Sequence, residues 1–546
     1  MTFNFTKSVF GLAFGSLLLS SCGSSSPVLV STPVENIDAI PLKVSDLTDS
    51  EKKNWGHLDL VTDTIPGMSV NKAYTDIIKG NKGETVIVAV LDSGMDLEHE
   101  DLVNVLWTNT KEIPGNNIDD DKNGYVDDIH GYNFLGESYN ELLEMTRIVK
   151  LKIGDAAYQA KAKAALDEKY NETLKNKTYY EQILQTVTTA DTAVKEKLGK
   201  GTYTKEDVAA IETQDATLLQ NISMIKQVYT FAEDVPSFIK DITGGITSMT
   251  ESLNYNYNVE FDGRTPVGDN PYDLEDTIYG NGNPQNRVED ESHGTHVAGI
   301  IAAQRGNGKG ADGVANNVQL MSIRAVPNGD EYDKDIALGI RYAVDNGAKV
   351  INGSFGKSFS PNADWVYDAI KYAASKDVLF IHAAGNDGLD LDNPTNPNFP
   401  NDQVDNGAEI ADNVITVGSI TSNYGADLVS SFSNYGVINV DVFAPGSAIY
   451  STVPGNEYDY NSGTSMAAPA VAGVAALIRS QYPKLKAAEV KKIIMQSGLT
   501  TKTSVVVAGE ASKATEFSKL TKSGKMVNAY NALILASQVA NGKVKL

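Results

Sequence analysis

Apolar positions along the chain fall into two rhythms. From residue 293 onward, short apolar runs alternate with segments of helical period. Helical spacing predicts helices over 293–303, 333–346, 363–375, 465–481 and 488–496. Apolar runs predict strands over 318–325, 349–354, 378–383 and 414–419. Further upstream, a short helix is expected over 70–78 and a strand over 84–91. In that strand Val86, Ile87, Val88, Ala89, Val90 and Leu91 are apolar without a break, as suits a strand buried on both faces of a parallel sheet. Strand–helix alternation of this kind predicts an α/β fold, three layers deep, with a mainly parallel central sheet.

The second rhythm occupies 137–255, which is rich in Ala, Lys, Glu, Thr and Gln. Tyr180, Leu184, Val187, Val194 and Leu198 recur at spacings of three, four and seven, as do Ile211, Leu218, Ile222, Ile225 and Tyr229. That is close to heptad periodicity, and Gly199-Lys200-Gly201 supplies a turn. An inserted α-helical hairpin or bundle is expected, flanked by the α/β segments 51–136 and 256–546.

The N-terminus follows neither rhythm. Lys7 precedes an apolar run from Val9 to Leu19, too short to span a membrane comfortably, and Leu19-Ser20-Ser21-Cys22 follows. This resembles a bacterial lipobox and implies a signal peptide over 1–22 with lipidation at Cys22. The expected location is the bacterial envelope, at the outer membrane or cell surface, with secretion as the alternative. Residues 23–50, rich in Ser, Pro and Val, read as a tether. Cys22 is the only cysteine, so an intrachain disulfide and a cysteine nucleophile are both excluded.

The 546 residues are 41% hydrophobic and 21% charged, a globular balance. Their net charge of −24 disfavours nucleic acid as a partner and suits a soluble exported surface with cation sites.

Three stretches carry candidate chemistry: Val90-Leu91-Asp92-Ser93-Gly94, His293-Gly294-Thr295-His296, and Gly463-Thr464-Ser465-Met466-Ala467. Acyl transfer needs a nucleophile, a base within reach, a group that orients the base, and donors where the oxyanion forms. Asp92 ends a buried strand, and His293 and Ser465 each begin a helix, where free N–H groups are available. An α/β-hydrolase elbow would need G-x-S-x-G, and Ala467 stands at its last position.

Together these blocks resemble the subtilisin-like serine proteases, the subtilase family, over roughly residues 55–135 and 255–540. The resemblance implies a serine endopeptidase with no cofactor for catalysis, acting on proteins or peptides. Asp92 would orient the base, His293 would act as base and acid, and Ser465 as nucleophile. Ala383-Ala384-Gly385-Asn386 resembles the family's oxyanion loop, with Asn386 as donor. Asn352-Gly353-Ser354-Phe355-Gly356 resembles its groove strand, placing Ser354, Phe355 and Gly356 against the substrate. His296 is expected to be structural.

Asp119-Asp120-Asp121-Lys122-Asn123-Gly124-Tyr125-Val126-Asp127 has oxygen-bearing residues at alternate positions and a glycine at the sixth. Such a loop can wrap a hard cation, with Asp119, Asp121, Asn123, the Tyr125 carbonyl and Asp127 as ligands. His130 at the twelfth position departs from an EF-hand, and an Asx-rich turn is the plainer alternative. The family often binds structural calcium, so calcium is the expected ion. A wider departure from the family is the distance of 201 positions from Asp92 to His293. Long insertions cost little loop-closure entropy, so the site tolerates this one. The insertion is expected beside the cleft, where it restricts access or meets a protein partner. The rival functional reading is a surface lipoprotein whose helical insertion binds a partner, with proteolysis secondary or lost.

Overall fold

The computed structural model describes residues 31–546. Cys22 and the rest of the expected signal peptide lie outside that range. Seven strands form one parallel sheet: β1 (Val86–Asp92), β2 (Gly131–Asn133), β3 (Val318–Arg324), β4 (Val350–Gly353), β5 (Leu379–Ala383), β6 (Val414–Ile420) and β7 (Val442–Pro445). Their spatial order is β2-β3-β1-β4-β5-β6-β7. β1 shows why its apolar run is unbroken. Val86, Val88 and Val90 enter the core on one face, and Ala89 and Leu91 enter the core on the other. Helices His293–Ala302, Thr464–Gln481, Ala487–Ser497 and Ala529–Ala540 cover the first face. Helices Asp333–Asp345 and Ala363–Ser375 cover the second. The strand order switches around β1, and crevices at such switch points collect ligands at the carboxyl ends of the strands.

The insertion is built around one helix, Ala156–Leu198, 43 residues long. At 1.5 Å per residue it spans about 65 Å. Asp155 caps its first turn, and Gly199 ends it in a left-handed conformation at φ 62°. Helices Lys205–Ala209, Ala216–Val228 and Val235–Glu251 fold back on its distal half. There Val187, Ala190 and Val194 pack on Val208, Ile222, Ile225 and Val228. Its proximal half rests on the α/β body through Ala162 and Leu166, which meet Met145, Ile148 and Phe359.

Buried charges fix the root of the insertion. On helix Glu144–Leu151, Glu144 pairs with Arg147 at 2.7 Å and with Lys357 at 2.8 Å. Lys357 also pairs with Asp333 at 2.9 Å. Further along, Arg264 grips Asp335 at 2.6 Å and Asp269 at 2.7 Å.

Two stretches differ from the sequence reading. Much of the expected tether is seated on the body: Val34 exchanges backbone hydrogen bonds with the Asn531 side chain, and Ile37 is buried with Trp55 and Leu428. Thr48 and Glu51 form a capping box that starts helix Asp49–Asn54. A few apolar residues spaced without period were enough to dock it. The antiparallel hairpins Ile449–Val453 with Glu457–Asn461, and Ser504–Val507 with Glu510–Glu516, were not expected: each pairs a partly buried strand with a mainly exposed one that carries no apolar run.

Candidate active site

Asp92, at the carboxyl end of β1, is 1% exposed. Its Oδ1 accepts from the Ser93 N–H at 2.8 Å and from His293 Nδ1 at 2.7 Å. A carboxylate only accepts, so Nδ1 carries the proton and Nε2 keeps its lone pair. The His293 helix can come this close because of glycine: a Cβ on Gly294 would stand 2.0 Å from the Gly94 carbonyl oxygen. The Gly294 N–H is tied to Ser93 Oγ at 3.1 Å. Burial disfavours the imidazolium, but the charge of Asp92 and its hydrogen bond outweigh that, leaving His293 above its ordinary value.

Ser465 opens helix Thr464–Gln481, whose almost wholly buried face-to-face run of Ala, Gly and Val threads the core. Its Oγ donates to the Ser354 carbonyl at 3.1 Å, and Ser354 Oγ donates back to the Ser465 carbonyl at 2.9 Å. Catalytic hydrogen bonds often form fully only with substrate present.

Asn386 follows β5. The Thr464 N–H and hydroxyl both donate to its Oδ1, at 2.8 and 3.0 Å, which fixes the amide and leaves Nδ2 as a free donor. A Cβ built on Gly463 would lie 3.5 Å from Asn386 Nδ2 and 3.6 Å from the Ser465 N. Both nitrogens, and the Met466 sulfur at 3.7 Å, therefore flank the point where a Gly463 side chain would begin. Asn434 shapes the loop behind it, accepting from the Asp387 and Leu389 N–H groups and donating to the Ala384 carbonyl. Gly385 adopts φ +96°, where a Cβ would meet Asn434 Nδ2 at 2.5 Å.

Two hollows meet at Phe355 and Gly356. One, of about 280 Å³, is lined by Asp92, His293 and Ser354. The other, of about 550 Å³, is lined by Asn386, Thr464 and Ser465. Asp92 and His293 thus border one hollow and Asn386 and Ser465 the other, with Phe355 and Gly356 lining both; Ser465 Oγ is bonded to the Ser354 carbonyl and not to His293.

The subtilase family model matches residues 83–513. The chain belongs to the subtilase family. It is 38% identical over 247 residues to the thermophilic serine proteinase of Bacillus sp. (strain AK1), across 44% of this chain and 54% of that protein. It is 42% identical over 207 residues to thermitase of Thermoactinomyces vulgaris, across 38% of this chain and 66% of that protein. The match therefore spans about half of the first relative's length and just under two thirds of the second's. Solved proteases from Pseudoalteromonas arctica PAMC 21717 align over 89% of this chain and 97% of theirs, at 21% identity and a TM-score of 0.43.

In this subtilase the Asp-rich loop lies between β1 and β2. Carboxylate oxygens of Glu112, Asp119 and Asp121 lie within 4.8 Å of one another. Asp127 accepts from the N–H groups of Gly115, Asn116 and Asn117, and Glu112 from those of Asp121 and Asp127. Asn123 Oδ1 accepts from the Tyr125 N–H, and the Tyr125 ring packs on Tyr132 and Tyr342. Glu112 precedes the motif and was invisible to a reading that began at Asp119.

Two supports were also missed. Thr464, a neighbour of the nucleophile in the serine motif, orients Asn386. His382 donates from Nε2 to the Phe355 carbonyl at 2.8 Å, holding the strand both hollows share. Burial lowers its pKa to about 4, against a smaller opposing effect of that hydrogen bond. His296 is buried beside the Ile449 and Asp459 carbonyls, at 3.0 and 3.1 Å, as a structural histidine would be.

Proposed function

We propose that this subtilase is a serine endopeptidase with Asp92, His293 and Ser465 as its triad and Asn386 as oxyanion donor. The observation that carries the reading is the His293–Asp92 hydrogen bond of 2.7 Å, together with an Asn386 amide that Thr464 orients with Nδ2 left free, in the hollow that Ser465 lines. Family membership and the named serine proteinase relatives support it.

The peptide lies extended along Ser354–Gly356. Ser465 Oγ attacks the carbonyl carbon while His293 Nε2 takes its proton, and Asp92 holds the imidazole and stabilises its positive charge. The carbonyl oxygen, now an oxyanion, accepts from Asn386 Nδ2 and the Ser465 N–H. Collapse breaks the C–N bond as His293 returns the proton to the leaving amine. Water, deprotonated by His293, then frees the acyl group. Release of peptides from denatured casein tests this reading. Ser465→Ala should lower turnover roughly a million-fold, by the scale seen for triad removal. Equal hydrolysis by wild type and variant would refute it.

Two finer parts belong to the same proposal. Lipidation of Cys22 anchors the chain in the bacterial envelope, a reading supported by the Leu19–Cys22 motif; palmitate labelling of wild type but not Cys22→Ala tests it. Calcium binds between Glu112, Asp119 and Asp121 as a structural ion, since three convergent carboxylates suit a hard cation. The ion would brace the loop beside β2 and takes no part in bond breaking.

A further inference from the structure

We infer that the long insertion helix supplies the charge selectivity of the cleft, favouring a substrate with Asp or Glu as the residue that donates the acyl group. This rests on the protease reading above and specifies its substrate. Lys161, Ala165 and Lys169 stand four residues apart on one face of helix Ala156–Leu198, and all three line the hollow that contains Ser465 and Asn386. The wall is held in register by packing. Ala162 and Leu166, on the adjoining face, are buried against Phe359, and Tyr158 meets the Phe359 ring edge-on at 5.8 Å. The Lys161 Nζ lies 5.7 Å from the same ring. Phe359 is only a few residues beyond the groove strand, so the helix and the groove are one packed unit.

Charge bookkeeping within the hollow favours an anion. Lys357 also lines it, but Glu144 and Asp333 neutralise that lysine. Among the described residues Lys161 and Lys169 have no acidic partner, whereas their neighbour Lys163 is paired with Asp167. The only carboxylate in the lining is Asp387. A cleft with two unpaired lysines stands out on a chain of net charge −24. Geometry selects the substrate position. With the carbonyl carbon at Ser465 Oγ and its oxygen toward Asn386, the side chain of that residue enters this hollow. The next side chain of an extended peptide points to the opposite side, toward the hollow beside His293.

The test uses three matched peptides carrying Glu, Leu or Lys at the acyl-donating position, with the full-length enzyme. Wild type should show kcat/KM for Glu about tenfold above Lys at low salt, and the ratio should shrink as salt screens the lysines. In Lys161→Glu/Lys169→Glu the ratio should invert. The salt series on wild type needs no variant, so a folding defect cannot mask the answer. A Glu-to-Lys ratio that ignores both salt and charge reversal, while the Leu peptide is cleaved, overturns the inference and leaves the protease reading intact. If no peptide is cleaved and Ser465 resists a fluorophosphonate, the protease reading fails and the inference with it.

Discussion

At the residue scale, the site depends on how few degrees of freedom its groups retain. His293 has one proton position imposed by Asp92, and Asn386 has one amide orientation imposed by Thr464. The raised His293 pKa has opposite consequences for activity and stability. As a base it must be neutral, so kcat/KM should rise with pH through a value above the ordinary 6.5. Its stabilising pair with Asp92 is complete below the unfolded-state pKa and is lost as pH rises through the folded value. Asp92→Asn should shift the kinetic midpoint down and reduce turnover by orders of magnitude; an unmoved midpoint would contradict the pairing. Gly463→Ala places a methyl 3.5 Å from Asn386 Nδ2 and 3.6 Å from the Ser465 N, and should lower kcat by the amount of at least one oxyanion donor, about 100- to 1,000-fold. Asn386→Ala should do the same while Ser465 still reacts with small electrophiles. Steady-state kinetics on one peptide substrate compare all three.

At the element scale, strand ends and helix starts deliver the chemistry. β1 ends on Asp92, β4 leads into Ser354 and β5 leads into Asn386, because parallel strands bring their carboxyl ends to one edge. The insertion is fastened to the same edge by Glu144, Arg147, Lys357 and Asp333, all nearly inaccessible. Breaking one partner of a buried ion network strands a charge, at a cost of about 3–5 kcal/mol. Lys357→Met should therefore lower the melting temperature sharply, whereas Lys161→Met on the exposed helix face should leave it nearly unchanged. Thermal unfolding followed by circular dichroism checks both, and equal melting temperatures would mean the network contributes nothing. For the acidic loop, calcium should raise the melting temperature of wild type and fail to do so in Glu112→Gln/Asp119→Asn. No calcium-dependent shift in wild type would remove the ion from the proposal.

At the scale of the whole molecule, burial explains what the sequence made legible. Elements that cross the core carry long apolar signatures, and helix Ala363–Ser375 and the strands from β3 to β6 stand within a residue or two of their expected bounds. The motif residues were legible because each is tied to its neighbours in sequence. What stayed hidden joins distant segments. Lys161 reaches the Ser465 hollow only because one continuous helix leans on Phe359, and heptad spacing in its distal half says nothing about where its proximal half rests. Glu112 joins Asp119 and Asp121 through a turn without a motif. β2 is three residues long, too short for any periodicity.

Global stability carries a second pH signature. His296 and His382 are both buried, and burial lowers each pKa to about 4. The unfolded chain binds these protons first, near the ordinary 6.5, so stability is lost as pH falls from there through about 4. Chemical denaturation across that range should show the midpoint dropping, and the drop should lessen in His382→Gln.

The central claim is that Ser465, His293, Asp92 and Asn386 form one reacting assembly despite the insertion between Asp92 and His293. Stoichiometric labelling with a fluorophosphonate, followed by peptide mapping, tests it most directly. Wild type should take up one label per chain, on Ser465, with labelling slowed by orders of magnitude in His293→Ala. Labelling that is absent, that falls on another serine, or that proceeds equally fast without His293 would contradict it.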